Sequence, residues 1–261
     1  MLERTFLFTA LALGALVAIL FTLFPQWDIA IARLFFDPAT ERFPYASRAL
    51  PNILRDLADW LVWLILIAAG GVFLLKLVIP RRKMLMRPTV ALFLLVSYAL
   101  APGLITNGIL KPVWSRARPV AIEEFGGHKH FTPWWKPEGD CERNCSFVSG
   151  DASSLTWLLA PASVAPPAIR PVALAGAAVI AVGLSGMRVV FGRHFFTDVV
   201  FGGVVTLLVI VLCRRLIFRL EDARIEARLE RAGLRLRSLI SGDDTGPPDD
   251  DEWSVYWNGK A

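Results

Sequence analysis

Six apolar runs, almost free of charge, constrain this chain more than any other feature: residues 6–24, 60–80, 88–110, 152–169, 171–187 and 199–213. The hydrocarbon layer of a bilayer is about 30 Å thick and takes roughly twenty helical residues to cross. Backbone polar groups in lipid must bond within their own segment, so runs of this length read as helices rather than strands. Composition agrees, with 55% hydrophobic and only 20% charged residues. The expected fold class is an all-α integral membrane protein with six transmembrane helices. The last three runs are short, but flanking residues such as Phe195 and Phe196 lengthen them. The first run has no small-residue cleavage site after it and reads as an uncleaved helix.

Basic residues give the orientation. The loop 81–87, RRKMLMR, holds four cations and no acid, and RRLIFR follows the sixth run, so both face the cytoplasm. Both termini are then cytoplasmic, and the segments 28–59 and 111–151 face outward, which in a bacterial inner membrane is the periplasm. The membrane domain is expected over 1–219. Segment 28–59 reads as amphipathic, lying along the outer surface as a lid or spacer, with Trp27 and Trp60 at the interface. Residues 220–240, rich in arginine, read as a cytoplasmic amphipathic helix that continues the sixth helix. The acidic stretch 241–261, with its Gly and Pro, reads as a disordered tail.

Three polar clusters fall at helix ends on the outward side: KPVWSRARP at 111–119, VSGD at 148–151 and MRVVFGRHFFTD at 187–198. Successive helices alternate direction, so clusters scattered in sequence can converge in space. Lys111, Arg118 and Arg188 would form a positive pocket, which is costly near a membrane unless an anion occupies it. The arginine fork matches phosphate oxygens. Ser149 and Gly150 precede a helix N-terminus, whose free N–H groups favour phosphate. The imidazole of His194 can attack phosphorus, and Asp198, one helical turn on, can orient it and balance the charge that develops.

These residues resemble the type 2 phosphatidic acid phosphatase superfamily. Lys111, Arg118 and Pro119 match its K-x6-R-P motif, Ser149 and Gly150 the centre of its P-S-G-H motif, and Arg188, His194 and Asp198 its S-R-x5-H-x3-D motif. The resemblance implies a metal-independent lipid phosphatase without cofactors, working through a phosphohistidine at His194. The chain departs from the family at Val148, Met187 and Asp151, which stand where proline, serine and the second histidine are usual. That histidine protonates the leaving oxygen. Asp151 is therefore read as the proton donor, as a helix N-cap, or as a bystander to His128 or His130.

Implied substrates are lipid A, undecaprenyl pyrophosphate, phosphatidylglycerol phosphate and phosphatidic acid, the first two ahead. The expected partners are a phosphorylated lipid and the bilayer, with no nucleic acid and no metal. Rival readings are a phosphotransferase using the same intermediate and a lipid or anion transporter. Cys141 and Cys145 read either as a disulfide or, with His128 and His130, as a zinc site. Arg116 and Arg193 are read equally as an extension of the phosphate site or as solvent-facing cations. Trp134 and Trp135 are expected at the membrane interface.

Overall fold

The computed structural model describes residues 2–241. In chain order its helices are α1 (Leu2–Leu23), α2 (Gln26–Arg33), α3 (Ala49–Val78), α4 (Pro88–Tyr98), α5 (Lys111–Trp114), α6 (Gly150–Trp157), α7 (Leu159–Ser163), α8 (Arg170–Val190), α9 (Phe196–Ile217) and α10 (Asp222–Ser241). Among the described residues the only β pairing is two isolated bridges, Asp37 with Arg42 and Ile122 with Lys129. Five helical paths are long and apolar enough to cross a membrane: α1, α3, the path from α4 through α5, α8 and α9. The most apolar part of α9 is 56% buried, against 22% in α3 and α8, so α9 is the central post and the other two face outward. Leu64, Ile67, Val172 and Val179 are among the side chains left on that outer surface, as lipid requires.

Between α4 and α5 the chain winds as a π-helix, Ala99–Leu110. Pro102 lies inside it and has no N–H to donate, which disrupts regular α-helical bonding. The Asn107 amide donates to the Pro102 carbonyl at 2.7 Å and occupies an acceptor there. This path delivers Lys111 to the start of α5.

Three expectations about the elements need correction. The fourth run, 152–169, does not form one spanning helix. It folds as α6 and α7 with a turn at Leu158, and the Pro166–Pro167 pair follows the end of α7. These fourteen residues, 150–163, rise only about 21 Å. Their apolar side chains face protein: Leu155, Trp157, Leu158 and Ala160 are all buried. Hydroxyls tie them to their neighbours, with Ser153 bonded to Thr206 at 2.7 Å and Trp157 Nε1 donating to Ser97 at 2.9 Å.

Segment 28–59 is not a surface spacer. α3 starts at Ala49, eleven residues before the apolar run, because Arg55, Asp56 and Asp59 interrupt apolarity without interrupting the helix. Before it, Ala32 and Phe43 pack with Ala117, Ile122, Phe125 and Phe195 in an outer core. Gly192 (φ +62°) sits against the Phe43 ring, where a Cβ would come within 2.5 Å.

α10 does not continue the sixth helix. The chain turns after Phe218, and Asp222 Oδ1 accepts from the backbone N–H of Thr89 at the start of α4, 2.9 Å away. Lys76, 3% exposed, reaches Glu230 at 2.9 Å and Glu226 at 3.3 Å. α10 thus clamps the end of α3 to the start of α4. The expected tail, 241–261, lies outside the described residues except for Ser241, the last residue of α10.

Candidate active site

His194 lies in the short connection between α8 and α9 and is 2% exposed. Its Nδ1 is 2.9 Å from the carbonyl oxygen of Ser146. A carbonyl can only accept, so Nδ1 carries the proton and Nε2 keeps its lone pair. Burial first, and then the positive charges of Arg118, Arg188 and Lys111, hold the imidazole well below its usual pKa. The ring is therefore neutral and nucleophilic at Nε2.

Asp198 does not orient the ring directly, as its i+4 spacing led one to expect. Its Oδ2 stands 3.9 Å from Nδ1, beyond hydrogen-bond range. Helix capping explains the difference. The same oxygen accepts the backbone N–H of Phe195 at 2.8 Å, closing the first turn of α9, and the Ser146 hydroxyl at 2.5 Å. Asp198 holds Ser146, and Ser146 holds His194.

Beneath this pair is a fully buried ion cluster that the sequence did not reveal. Arg116 Nη1 donates to Asp198 Oδ1 at 2.5 Å and to the Thr197 hydroxyl at 2.8 Å, while Nη2 donates to Asp28 Oδ2 at 2.8 Å. Arg116 Nε donates to the Thr132 carbonyl at 2.7 Å, and the Phe195 ring lies 4.3 Å from the guanidinium carbon. Asp28 also accepts the Thr197 hydroxyl at 2.6 Å and its backbone N–H at 3.1 Å. One guanidinium thus faces two carboxylates. The surplus negative charge lies where it favours positive charge developing on His194.

Arg118, Arg188 and Lys111 gather close enough to His194 for their charges to act on its ring. Arg188, 9% exposed, has its Nε 2.6 Å from Asp151 Oδ2. Its N–H is not aligned on an acceptor, so this contact is an ion pair rather than a hydrogen bond. Arg118 donates from Nε to the Asn144 carbonyl at 2.9 Å and from Nη2 to Asn144 Oδ1 at 2.7 Å. The Lys111 ammonium reaches across to Gly150, where a Cβ would stand only 3.0 Å from Nζ. Ser149 is the N-cap of α6, its Oγ accepting from Ala152 N at 3.3 Å. Asp151 is therefore not the cap; it stands in the first turn, beside Arg188.

The other sequence candidates separate. His128 and His130 are on the exposed loop, and His130 is 3.4 Å from Glu123. Cys141 and Cys145 are bridged, with Cα atoms 5.7 Å apart, which spends on each other the thiols a zinc site would need. Arg116 is structural and fully buried, whereas Arg193 is exposed. Trp134 stacks on Phe201, ring centroids 4.4 Å apart. Ser146, Asp28 and Thr197 were missed. Thr197 lies between the recognised His194 and Asp198, but Asp28 carries no local signal.

Comparison with known proteins adds a lineage to this geometry. The profile described as PAP2 superfamily matches residues 90–222. A protein of Francisella tularensis subsp. novicida named lipid A 4'-phosphatase is 35% identical over 192 residues, covering 71% of this chain and 84% of the relative. One of the same name from Rhizobium leguminosarum is 33% identical over 214 residues, covering 75% and 88%. A third, from Rhizobium etli, is 39% identical over 110 residues, 42% of this chain and 43% of the relative. No solved structure matches significantly. With its motifs, its buried histidine and these relatives, the chain belongs to the PAP2 superfamily of membrane lipid phosphatases.

Proposed function

We propose that this protein removes the 4'-phosphate of lipid A at the periplasmic face of a bacterial inner membrane. The names of the three relatives support the substrate. The observation that carries the chemistry is the bond from His194 Nδ1 to the Ser146 carbonyl, which leaves Nε2 as the attacking atom. We propose six passes with both termini cytoplasmic, α6 and α7 making the fourth together with the residues up to α8. The basic loop 81–87 and the cations of α10 support that orientation.

In this scheme Lys111, Arg118 and Arg188 grip the phosphate oxygens, helped by the N–H groups at the start of α6 behind Ser149 and Gly150. Nε2 attacks phosphorus in line, the bond from phosphorus to the sugar oxygen breaks, and phosphohistidine forms. A secondary sugar hydroxyl is a poor leaving group as an alkoxide, so the 4' reading requires an acid. Asp151 is the carboxyl nearest the phosphate grip. An arriving phosphate monoanion competes with it for Arg188 and brings the proton, which the displaced Asp151 carboxylate relays to the leaving oxygen. In the second step Asp151 takes a proton from water, water oxygen attacks phosphorus, and the P–N bond breaks to release phosphate.

The test is phosphate release by detergent-solubilised protein from lipid A, undecaprenyl pyrophosphate, phosphatidylglycerol phosphate and phosphatidic acid, with EDTA present. Release from lipid A that vanishes in the His194→Ala variant is expected. Turnover surviving that substitution, preference for another lipid, or abolition by EDTA would each overturn a part of the scheme. Stoichiometric free phosphate, rather than a phosphorylated acceptor lipid, separates hydrolysis from phosphotransfer.

A further inference from the structure

Beside the phosphate grip the outward loops form an open pocket of about 560 Å³. That volume lies within the ~300–1,000 Å³ of sites that hold small molecules. Four cations line it, Arg118, Lys129, Arg143 and Arg193, against one carboxylate, Glu142. Arg118 belongs to this wall and to the catalytic grip at once, and Arg193 immediately precedes His194 in the chain. Among the described residues, neither Arg143 nor Arg193 has an ion-pair partner. Lys129 donates to the Asp140 carbonyl at 2.6 Å and is 4.0 Å from Oδ2 of the same residue.

The walls are built rather than loose. The disulfide from Cys141 to Cys145 closes one side, and the Cys141 N–H donates to the Ser115 carbonyl at 2.9 Å. Val120 N–H donates to Gly192 O at 3.0 Å, and Lys129 N–H to Ala121 O at 2.9 Å, fixing the opposite side to the segment that carries His194. Asn144, in the left-handed region (φ +54°), aims both its carbonyls at Arg118 and so fixes the guanidinium shared by the two sites. Three guanidinium groups, Arg118, Arg143 and Arg193, gathered around the single carboxylate of Glu142 leave a net positive charge that an anion would balance.

We propose that this pocket binds a second acidic group, a phosphate or sugar carboxylate, borne by the same head group whose phosphate His194 removes. It rests on the phosphatase reading and extends it: the enzyme selects substrates with two anionic groups on a sugar scaffold over lipids with a lone phosphomonoester.

The test uses the Arg143→Gln/Arg193→Gln double variant of the full chain, neither residue being part of the catalytic set. Binding is measured in a His194→Ala background in non-ionic detergent, so that no turnover is needed and a failure of the phosphohistidine scheme leaves this arm readable. The ligands are bisphosphorylated lipid A, lipid A bearing only the 4'-phosphate, the same monophosphate bearing an acidic sugar, and phosphatidic acid. The expected result is that His194→Ala protein binds the two doubly acidic ligands at least about tenfold tighter than the singly acidic ones, the effect of one charge-assisted hydrogen bond. The double variant should abolish that advantage and bind the singly acidic ligands unchanged. Which doubly acidic ligand gains more identifies phosphate or carboxylate as the source. Equal weakening for all four ligands, or none, would overturn the proposal. So would an effect on singly acidic ligands that appears only when phosphatidylglycerol is added to the micelles, since that would assign the pocket to neighbouring lipid head groups.

Discussion

His194 Nδ1 and the backbone carbonyl of Ser146 are 2.9 Å apart, and this one bond decides which imidazole nitrogen can act. The main chain, not a carboxylate, sets the tautomer. Asp198 contributes at one remove, through the Ser146 hydroxyl. Ser146→Ala keeps the carbonyl and loses only the hydroxyl, so it should lower kcat by about tenfold, whereas His194→Ala should lower it by a factor on the order of 10³ or more. Rapid-quench detection of the phosphoenzyme separates the two: Ser146→Ala still forms it, more slowly, and His194→Ala does not.

The acid side of the pH profile follows from the depressed pKa of His194. Burial and the Arg118, Arg188 and Lys111 charges favour the neutral ring, so protonation in the folded enzyme comes below the ordinary histidine value of about 6.5. The acid limb of kcat/KM assigned to His194 should accordingly fall below 6.5, and Arg118→Gln should move it upward. Linkage gives the stability counterpart. The unfolded chain takes up this proton first, so stability is undiminished above about 6.5 and is lost as pH falls from there toward the folded value. With three histidines in the chain, ring resonances of labelled protein can follow His194 directly once His128 and His130 are replaced.

The buried Arg116 cluster predicts a loss of folded protein rather than of chemistry alone. Removing Asp28 leaves the Arg116 fork half unpaired at 0% exposure and two Thr197 donors without acceptor. Breaking such a pair costs about 3–5 kcal/mol. Asp28→Ala should therefore sharply lower the temperature at which detergent-solubilised protein leaves its monodisperse peak. Arg116→Lys should fare little better, since an ammonium cannot span Asp28, Thr197, Asp198 and the Thr132 carbonyl together.

How much of this was legible depended on where the charges sat. Lys111, Arg118, Arg188 and His194 stand out because they interrupt or end apolar runs, where a polar side chain needs a reason. Asp28 has the same standing in sequence as any acid after a membrane helix, and its partners lie 88 residues away at Arg116 and 169 at Thr197. Run 152–169 misled for a related reason: hydropathy does not separate apolar residues that face lipid from those that face other helices. Trp157, wholly buried, and Trp60, 72% exposed, look alike to it. The start of α3 was missed because Arg55, Asp56 and Asp59 end an apolar count but not a helix.

Two glycines should respond in opposite ways. A Cβ on Gly150 meets the end of the Lys111 side chain at 3.0 Å, and a flexible ammonium can move aside. Gly150→Ala should keep the protein folded and lower kcat/KM by about tenfold as the cation leaves its place. A Cβ on Gly192 meets the Phe43 ring at 2.5 Å, in a backbone conformation that side chains avoid. Gly192→Ala should instead lower the unfolding temperature. Paired thermal and kinetic measurements on the two variants distinguish a displaced ligand from a displaced loop.

The disulfide offers the last test. A bond between Cys141 and Cys145 closes a very short loop, so its effect on the unfolded chain is small and its loss should barely change global stability. Its local effect is larger. The loop it closes carries Asn144, which fixes Arg118, and ends beside Ser146, which fixes His194. Cys141→Ser/Cys145→Ser, or reduction by dithiothreitol, should lower kcat/KM severalfold with an unfolding temperature nearly unchanged, and reduction should have no effect on the double variant. A large drop in unfolding temperature would mean that the bridge supports the whole outer core rather than the two residues that aim the phosphate site.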